Sequence, residues 1–158
     1  MKKVSVTWLV LVQFSLALEW LHATTSKWLE PDFIVGINKT LETFAAKTPY
    51  HFYSSFLNSV AVPHAQLFGN LIRIGELGVG LTLLAGGIFL LSKKELPAAA
   101  QWLVIIACFG AALMNLNFFL ASGWTSPAAW GLNILMATIE IILGVFYIQA
   151  LQHQNDIL

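Results

Sequence analysis

The sequence predicts an all-α integral membrane protein, a four-helix bundle with two short interfacial helices between its first two spans. Of its 158 residues, 58% are hydrophobic and 10% are charged, whereas ordinary soluble domains carry about 25% charged residues. A soluble fold of this length cannot bury so much apolar surface, but lipid can cover it. We therefore expect one membrane domain, residues 1–158, and no nucleic-acid partner because the net charge is zero.

Four apolar stretches each exceed the roughly 20 residues that a helix needs to cross a bilayer. The predicted spans are residues 4–26, 64–92, 97–121 and 127–149. A polar turn ends at Pro97, which suits a first helical turn, and Ser126 with Pro127 forms a capping pair before the last span. Connections this short predict antiparallel neighbours.

The amino terminus combines a basic start with a long apolar run, as secretory signal peptides do. Glu19, Trp20 and His22 stand where such a peptide carries the small residues of its cleavage site. The segment is therefore expected to remain as the first span.

Lysine placement predicts the orientation in the membrane. Four lysines fall on one side of the membrane, namely Lys2, Lys3, Lys93 and Lys94. The turn after the third span, on the opposite side, has no charge. The positive-inside rule therefore predicts that both termini are cytoplasmic. Lys27, Lys39 and Lys47 fall on the other side and reduce the asymmetry.

The segment 28–63 is too polar to span and is expected to lie outside the hydrocarbon. Ile34, Ile37, Leu41 and Phe44 recur at helical spacing, and a second short helix is predicted over 49–59. Two interpretations remain open: amphipathic helices lying on the lipid headgroups, or a lid over the mouth of the bundle.

Three carboxyl side chains, Glu19, Glu76 and Glu140, lie in three separate apolar stretches. A carboxylate in hydrocarbon is costly, so such residues usually face a bundle interior and are functional candidates. A helix rises about 1.5 Å per residue, so depth below the outer face of the membrane can be counted from the helix ends. Glu19 then lies ~10 Å, Arg73 ~13 Å, and Glu76 and Glu140 ~18–20 Å below that face. The remaining halves of the spans are nearly free of polar groups, so we expect one off-centre polar pocket.

The predicted pocket holds protons or a ligand headgroup. Its candidate residues are Glu76, Arg73, Glu140, Glu19, His22, Asn117, Asn70 and Asn133, with Lys27 at the rim. Acids outnumber bases there, so carboxyls must keep protons or a cation must join them. The architectural alternative is a buried ion pair between Arg73 and Glu76, with Glu140 as a second partner.

Two further patterns concern packing and the membrane interface. Gly78, Thr82 and Gly86, spaced by four, predict a smooth ridge for close helix approach. The tryptophans expected in an aromatic belt are Trp20, Trp28, Trp124 and Trp130.

The sequence offers no cofactor motif of its own. Cys108 is the single cysteine, so no thiolate cluster for zinc or iron–sulfur exists, and no metal site is expected. A haem between His22 and His64 is conceivable but disfavoured, because His64 lies at a helix start and haem needs ligands at matched depths.

One stretch resembles a known family. Gly75-Glu76-Leu77-Gly78-Val79-Gly80-Leu81-Thr82-Leu83-Leu84 with Gly86, then Asn117-Phe118-Phe119-Leu120-Ala121, is similar to the DoxX family of small four-helix membrane proteins. Lys27, Phe44, Pro49, Tyr53, Phe56 and Leu57 also fit this resemblance, which covers about residues 15–143. Members commonly have an arginine and a glycine near the first span, where this chain has Glu19 and His22.

The resemblance implies a redox-linked or quinone-linked subunit in the cytoplasmic membrane of a prokaryote, beside a partner subunit or in a homo-oligomer. It extends to the DoxD-type subunit of thiosulfate:quinone oxidoreductases, so oxidation of a small sulfur compound is the activity expected of the complex. Quinone is the expected cofactor, and the catalytic residues remain unassigned. The alternatives are a non-catalytic assembly subunit and an outward-opening binding or transport module, although no inverted repeat supports the latter.

Overall fold

The computed structural model describes residues 6–30, 32–92 and 96–155, and these residues form helices and turns without a β-strand. The helices are α1 (Val6–Leu29), α2 (Phe33–Lys47), α3 (His51–Phe56), α4 (Ala65–Leu91), α5 (Ala98–Ser122) and α6 (Pro127–Asn155). A π-helical turn covers Leu57–Ala61, and a 3₁₀ turn covers Gly123–Thr125. The all-α prediction is confirmed for this part of the chain.

Three of these helices, α4, α5 and α6, are long and apolar enough to cross a membrane. Within the residues searched, α1 does not meet that standard, although it has 24 residues. Its lower apolarity is consistent with Gln13, Glu19 and His22, which interrupt its apolar run. The lysines at 2, 3, 93 and 94, on which the predicted orientation depends, lie outside the described residues.

Helix starts follow the local sequence. Pro97 precedes α5, and Pro127 is the first residue of α6. The backbone N–H of Ala129 donates to the Ser126 hydroxyl at 3.0 Å, as expected of a serine cap. The predicted turn before the last span is therefore confirmed.

The long helices pack antiparallel to their neighbours, as residue pairings show. Along α1 and α4, Lys27 meets Glu76 and Phe14 lies next to Gly87, so rising numbers in one helix meet falling numbers in the other. The same order holds for the other pairs, namely Gly75–Met114 and Gly86–Val104 between α4 and α5, and Asn115–Glu140 and Cys108–Gly144 between α5 and α6. The main hydrophobic cluster lies among these helices and includes Ala17, Leu83, Val104, Ala111 and Leu143.

Close approach of α1 and α4 depends on Gly80 and Gly87. A Cβ added at Gly80 would lie 2.8 Å from Leu21 Cγ, and one at Gly87 would overlap the Phe14 ring. Within this chain, the predicted ridge through Gly78, Thr82 and Gly86 is occupied only at Gly86 of its two glycines. Gly86 is buried against Gln13 and Val104, but Gly78 is exposed and a Cβ there would meet open space.

The segment between α1 and α4 packs against α4 and α5. Ile34 and Ile37 of α2 lie over Gly69, where the absent side chain leaves room for them. The Thr48 hydroxyl donates to the Leu120 carbonyl at 2.7 Å, which fastens the α2–α3 connection to the end of α5. The helix predicted over 49–59 is divided, since α3 ends at Phe56 and the π-helical turn follows.

Candidate functional site

An ion pair joins α1 to α4 in the interior. The Lys27 Nζ donates to both oxygens of Glu76, at 2.8 and 2.9 Å, and to the Ala23 carbonyl at 3.1 Å. All three ammonium donors are therefore used. Glu76 is 1% exposed and Lys27 is 24% exposed, so the charge pair is open to solvent only from the lysine side.

Arg73 does not take the ion-pair role predicted for it. Its guanidinium donates to Asn70 Oδ1 at 2.6 Å and lies 4.5 Å from the centre of the Trp28 ring, a cation–π contact. Among the described residues, Glu76 pairs with Lys27 instead. Spacing by three along one helix permitted contact between Arg73 and Glu76, but the lysine of the neighbouring helix reaches the carboxylate directly.

Glu140 is the most enclosed acidic side chain of the interior, at 0% exposure. The Trp20 indole N–H donates to one carboxyl oxygen at 2.7 Å, and the Asn115 amide donates to the other at 2.9 Å. Both donors are themselves buried and neutral. No Lys, Arg or His in the described part of the chain pairs with Glu140. The sequence prediction placed Trp20 in the aromatic belt, which is wrong, because the ring is 2% exposed inside the protein.

A second polar contact lies further along the same helices. The Gln13 amide donates to the Leu83 carbonyl at 2.8 Å, and the Tyr147 hydroxyl donates to Gln13 Oε1 at 2.8 Å. Gln13 is 0% exposed. The prediction that polar groups are confined to one half of the spans is therefore wrong. Polar side chains join α1 to α4 and to α6 near Glu76 and Glu140, and again further along the helices at Gln13.

The remaining predicted pocket residues lie elsewhere. Glu19 and His22 are exposed on α1. Asn133 is half-buried and donates within its own helix to Ala129 at 2.8 Å. Asn117 accepts a hydrogen bond from the Tyr53 hydroxyl of α3 at 3.1 Å. The buried polar interior therefore contains Glu76 and Glu140 from the predicted set, with Lys27 beside them.

Sequence reasoning missed Gln13, Trp20, Tyr147 and the central position of Asn115, but a signal for most of them was present. Gln13, Trp20 and Lys27 are spaced by seven along α1, and Glu140 and Tyr147 are spaced by seven along α6. Residues seven apart return to the same face of a helix that packs nearly parallel to its neighbours. A search for polar side chains at heptad spacing would have placed this series on one inward face.

A cavity of about 370 Å³ lies between the outer segment and the helices α4 and α5. Its walls include Phe44 of α2, Tyr53 of α3, Leu57 of the π-helical turn, Phe68 of α4 and Asn117 of α5. Glu76 and Glu140 do not line it. Among the described residues, no group of three His, Cys, Asp or Glu side chains could hold a metal ion.

Burial raises the pKa of the Tyr53 phenol above its ordinary value of 10.0. The unfolded chain loses this proton at the ordinary value while the folded protein keeps it, so stability falls as pH rises above that point. We expect the melting temperature of the wild type to decrease more steeply than that of Tyr53→Phe between about pH 9 and pH 11. Parallel curves would show that Tyr53 does not contribute.

No family model, curated protein or solved structure matches this chain in comparisons with known proteins.

Proposed function

We propose that the chain is a multi-pass subunit of the cytoplasmic membrane of a prokaryote, with α1, α4, α5 and α6 as four spans. Support for α1 as a span comes from its antiparallel packing along α4 and from exposed apolar side chains, among them Trp8, Leu11 and Leu18. Both termini are cytoplasmic in this proposal. The segment carrying α2 and α3 then lies at the outer interface, where it packs on α4 and α5.

The proposed activity is redox-linked: the chain serves a quinone-dependent oxidoreductase, as the resemblance to the DoxX family implies. Reduction of a quinone takes up two electrons and two protons. The electrons come from a small sulfur compound that is oxidised at a partner subunit. This chain supplies the path by which protons reach the quinone.

Glu140 carries the proposal. It is a carboxyl without a cationic partner among the described residues, held between two neutral donors in an apolar interior. A positioned carboxyl can accept and release a proton, and such general acid–base groups typically contribute about 10²–10⁴ to a rate. Glu76 is already neutralised by Lys27 and therefore serves as a fixed ion pair.

The test compares Glu140→Gln with Glu19→Gln in native membranes, using thiosulfate as electron donor and decylubiquinone as acceptor. Glutamine keeps the size of the side chain, and the Asn115 amide can rotate to present its oxygen to the new N–H₂ group. We expect quinone reduction to fall about 100-fold or more in Glu140→Gln. Glu19 is an exposed carboxyl of α1, so its variant should keep the wild-type rate.

A second candidate function is a non-catalytic assembly subunit. The observation that favours it is that both oxygens of Glu76 and both oxygens of Glu140 accept hydrogen bonds from neighbouring side chains. Such contacts can fix the positions of the helices relative to one another. In that case Glu140→Gln would leave the rate per assembled complex unchanged. It would instead reduce recovery of partner subunits on purification or lower the melting temperature.

A further inference from the structure

The cavity between the outer segment and the helices α4 and α5 has the size and lining of a small-molecule site. Its volume of about 370 Å³ falls in the range of ligand pockets, roughly 300–1,000 Å³. None of its lining residues is charged. An ionised ligand would lose its hydration there without a compensating partner, so the occupant must be uncharged.

The cavity opens toward the side of α4 and α5 that meets lipid. Leu71 of α4 and Leu113 of α5 line it and are 55% and 62% exposed. Both belong to helices long and apolar enough to cross a membrane. A ligand therefore enters from the hydrocarbon, and it must be soluble in lipid.

A single hydroxyl–amide pair lies in the wall. The Tyr53 hydroxyl donates to Asn117 Oδ1 at 3.1 Å, and Asn117 Nδ2 donates to the Leu113 carbonyl at 2.7 Å. A hydroxyl oxygen and an amide oxygen each accept up to two hydrogen bonds. The pair thus retains acceptor capacity, which suits a ligand with one O–H donor.

Five of the fifteen lining residues are aromatic, namely Phe44, Tyr53, Phe56, Phe68 and Phe118, and nine others are apolar without a ring. The Phe56 ring lies 5.6 Å from the Tyr53 ring and 6.0 Å from the Phe68 ring, between centroids. Rings pack favourably at such separations in tilted and edge-to-face arrangements. The five rings therefore offer an aromatic ligand ring-to-ring contacts that a flexible acyl chain cannot make.

The π-helical turn provides an independent indication. Leu57 and Ala61, its first and last residues, both line the cavity, and the Val62 N–H donates to the Leu57 carbonyl at 2.8 Å. Such wide turns are rare and are frequently found at functional sites. Here the turn forms part of the wall facing α4 and α5.

We propose that this cavity binds a small, uncharged, lipid-soluble phenol from the membrane. The ring lies among the aromatic side chains, and the phenol hydroxyl donates to the Tyr53–Asn117 pair. The site is distinct from the interior around Glu140, and its occupation does not depend on the redox role proposed above.

The test uses the full chain in lipid nanodiscs and a 4-alkylphenol that carries a photoactivatable diazirine. Covalent labels should map to cavity residues such as Leu57 and Phe68. Excess 4-propylphenol should block labelling, and 4-propylanisole, which lacks the O–H donor, should compete roughly fivefold to tenfold less well. Labels spread over lipid-exposed α1, or equal competition by the two compounds, would overturn the proposal.

Tyr53→Phe/Asn117→Leu is the informative variant, because it removes both acceptor oxygens of the pair while keeping an apolar wall. We expect the preference for 4-propylphenol over 4-propylanisole to disappear, with the melting temperature checked to confirm folding. Asn133→Leu is the matched control, since Asn133 is another half-buried asparagine that does not line the cavity. A preference that survives Tyr53→Phe/Asn117→Leu would contradict the assigned contact.

Discussion

Replacing Lys27 by methionine is expected to destabilise the protein by about 3 kcal/mol, because the Glu76 carboxylate then stays buried without a cation. The ammonium supplies both hydrogen bonds to this carboxylate, at 2.8 and 2.9 Å. Removal of one partner from a buried pair typically costs about 3–5 kcal/mol. We take the lower end because Lys27 is 24% exposed. Thermal unfolding of the detergent-solubilised protein measures the effect.

The double variant Lys27→Met/Glu76→Leu separates loss of the pair from loss of packing. With both charges removed, no uncompensated carboxylate remains, and most of the stability should return. Lys39→Met is the control, because Lys39 is exposed on α2 and has no ion pair among the described residues. A double variant as unstable as Lys27→Met would show that the charge pair is not the cause.

Substitution of Gly80 by alanine is expected to destabilise the protein by about 1–3 kcal/mol, as overpacking does in tight cores. The new Cβ would lie 2.8 Å from Leu21 Cγ and 3.2 Å from the Leu21 backbone nitrogen. The backbone of α1 cannot rotate away as a side-chain tip can, so the two helices must separate. The same unfolding assay applies.

Gly78→Ala is the matched control for this prediction. Gly78 lies on the same helix, but a Cβ there meets nothing within 4 Å. Alanine is a better helix former than glycine by up to about 1 kcal/mol, so this variant should be neutral or slightly more stable. The opposite ranking would mean that the ridge through Gly78, expected from spacing by four, is the true contact surface.

How much of the structure could be predicted from the sequence differs from residue to residue. Hydropathy placed the apolar stretches within a few residues of α4, α5 and α6, because a helix in hydrocarbon must be apolar over its whole length. Glu76 and Glu140, the two acids that counting residues from the helix ends placed deepest, are buried inside the protein. The same count grouped Glu19 with them, although it is exposed.

Depth alone does not give direction around the helix axis. Glu19 and Trp20 are adjacent at nearly the same depth, yet one is exposed and the other is buried against Glu140. The heptad series Gln13, Trp20 and Lys27 identifies the inward face of α1, but only once a nearly parallel partner helix is assumed.

The cavity was beyond prediction from the sequence. Its walls come from residues far apart in the chain, such as Phe44, Tyr53 and Asn117. The aromatic residues of the outer segment were visible, but whether they lay on headgroups or against other helices depended on contacts such as Thr48 with the Leu120 carbonyl.

By itself the sequence determined an all-α chain with helices suited to a membrane and with a few acids inside apolar stretches, because these follow from hydropathy. Only the tertiary structure decided which partner each acid takes: Lys27 for Glu76, and Trp20 with Asn115 for Glu140. The reason is geometric, since a hydrogen bond between helices depends on the rotation and the relative register of both, and neither quantity is contained in one helix alone.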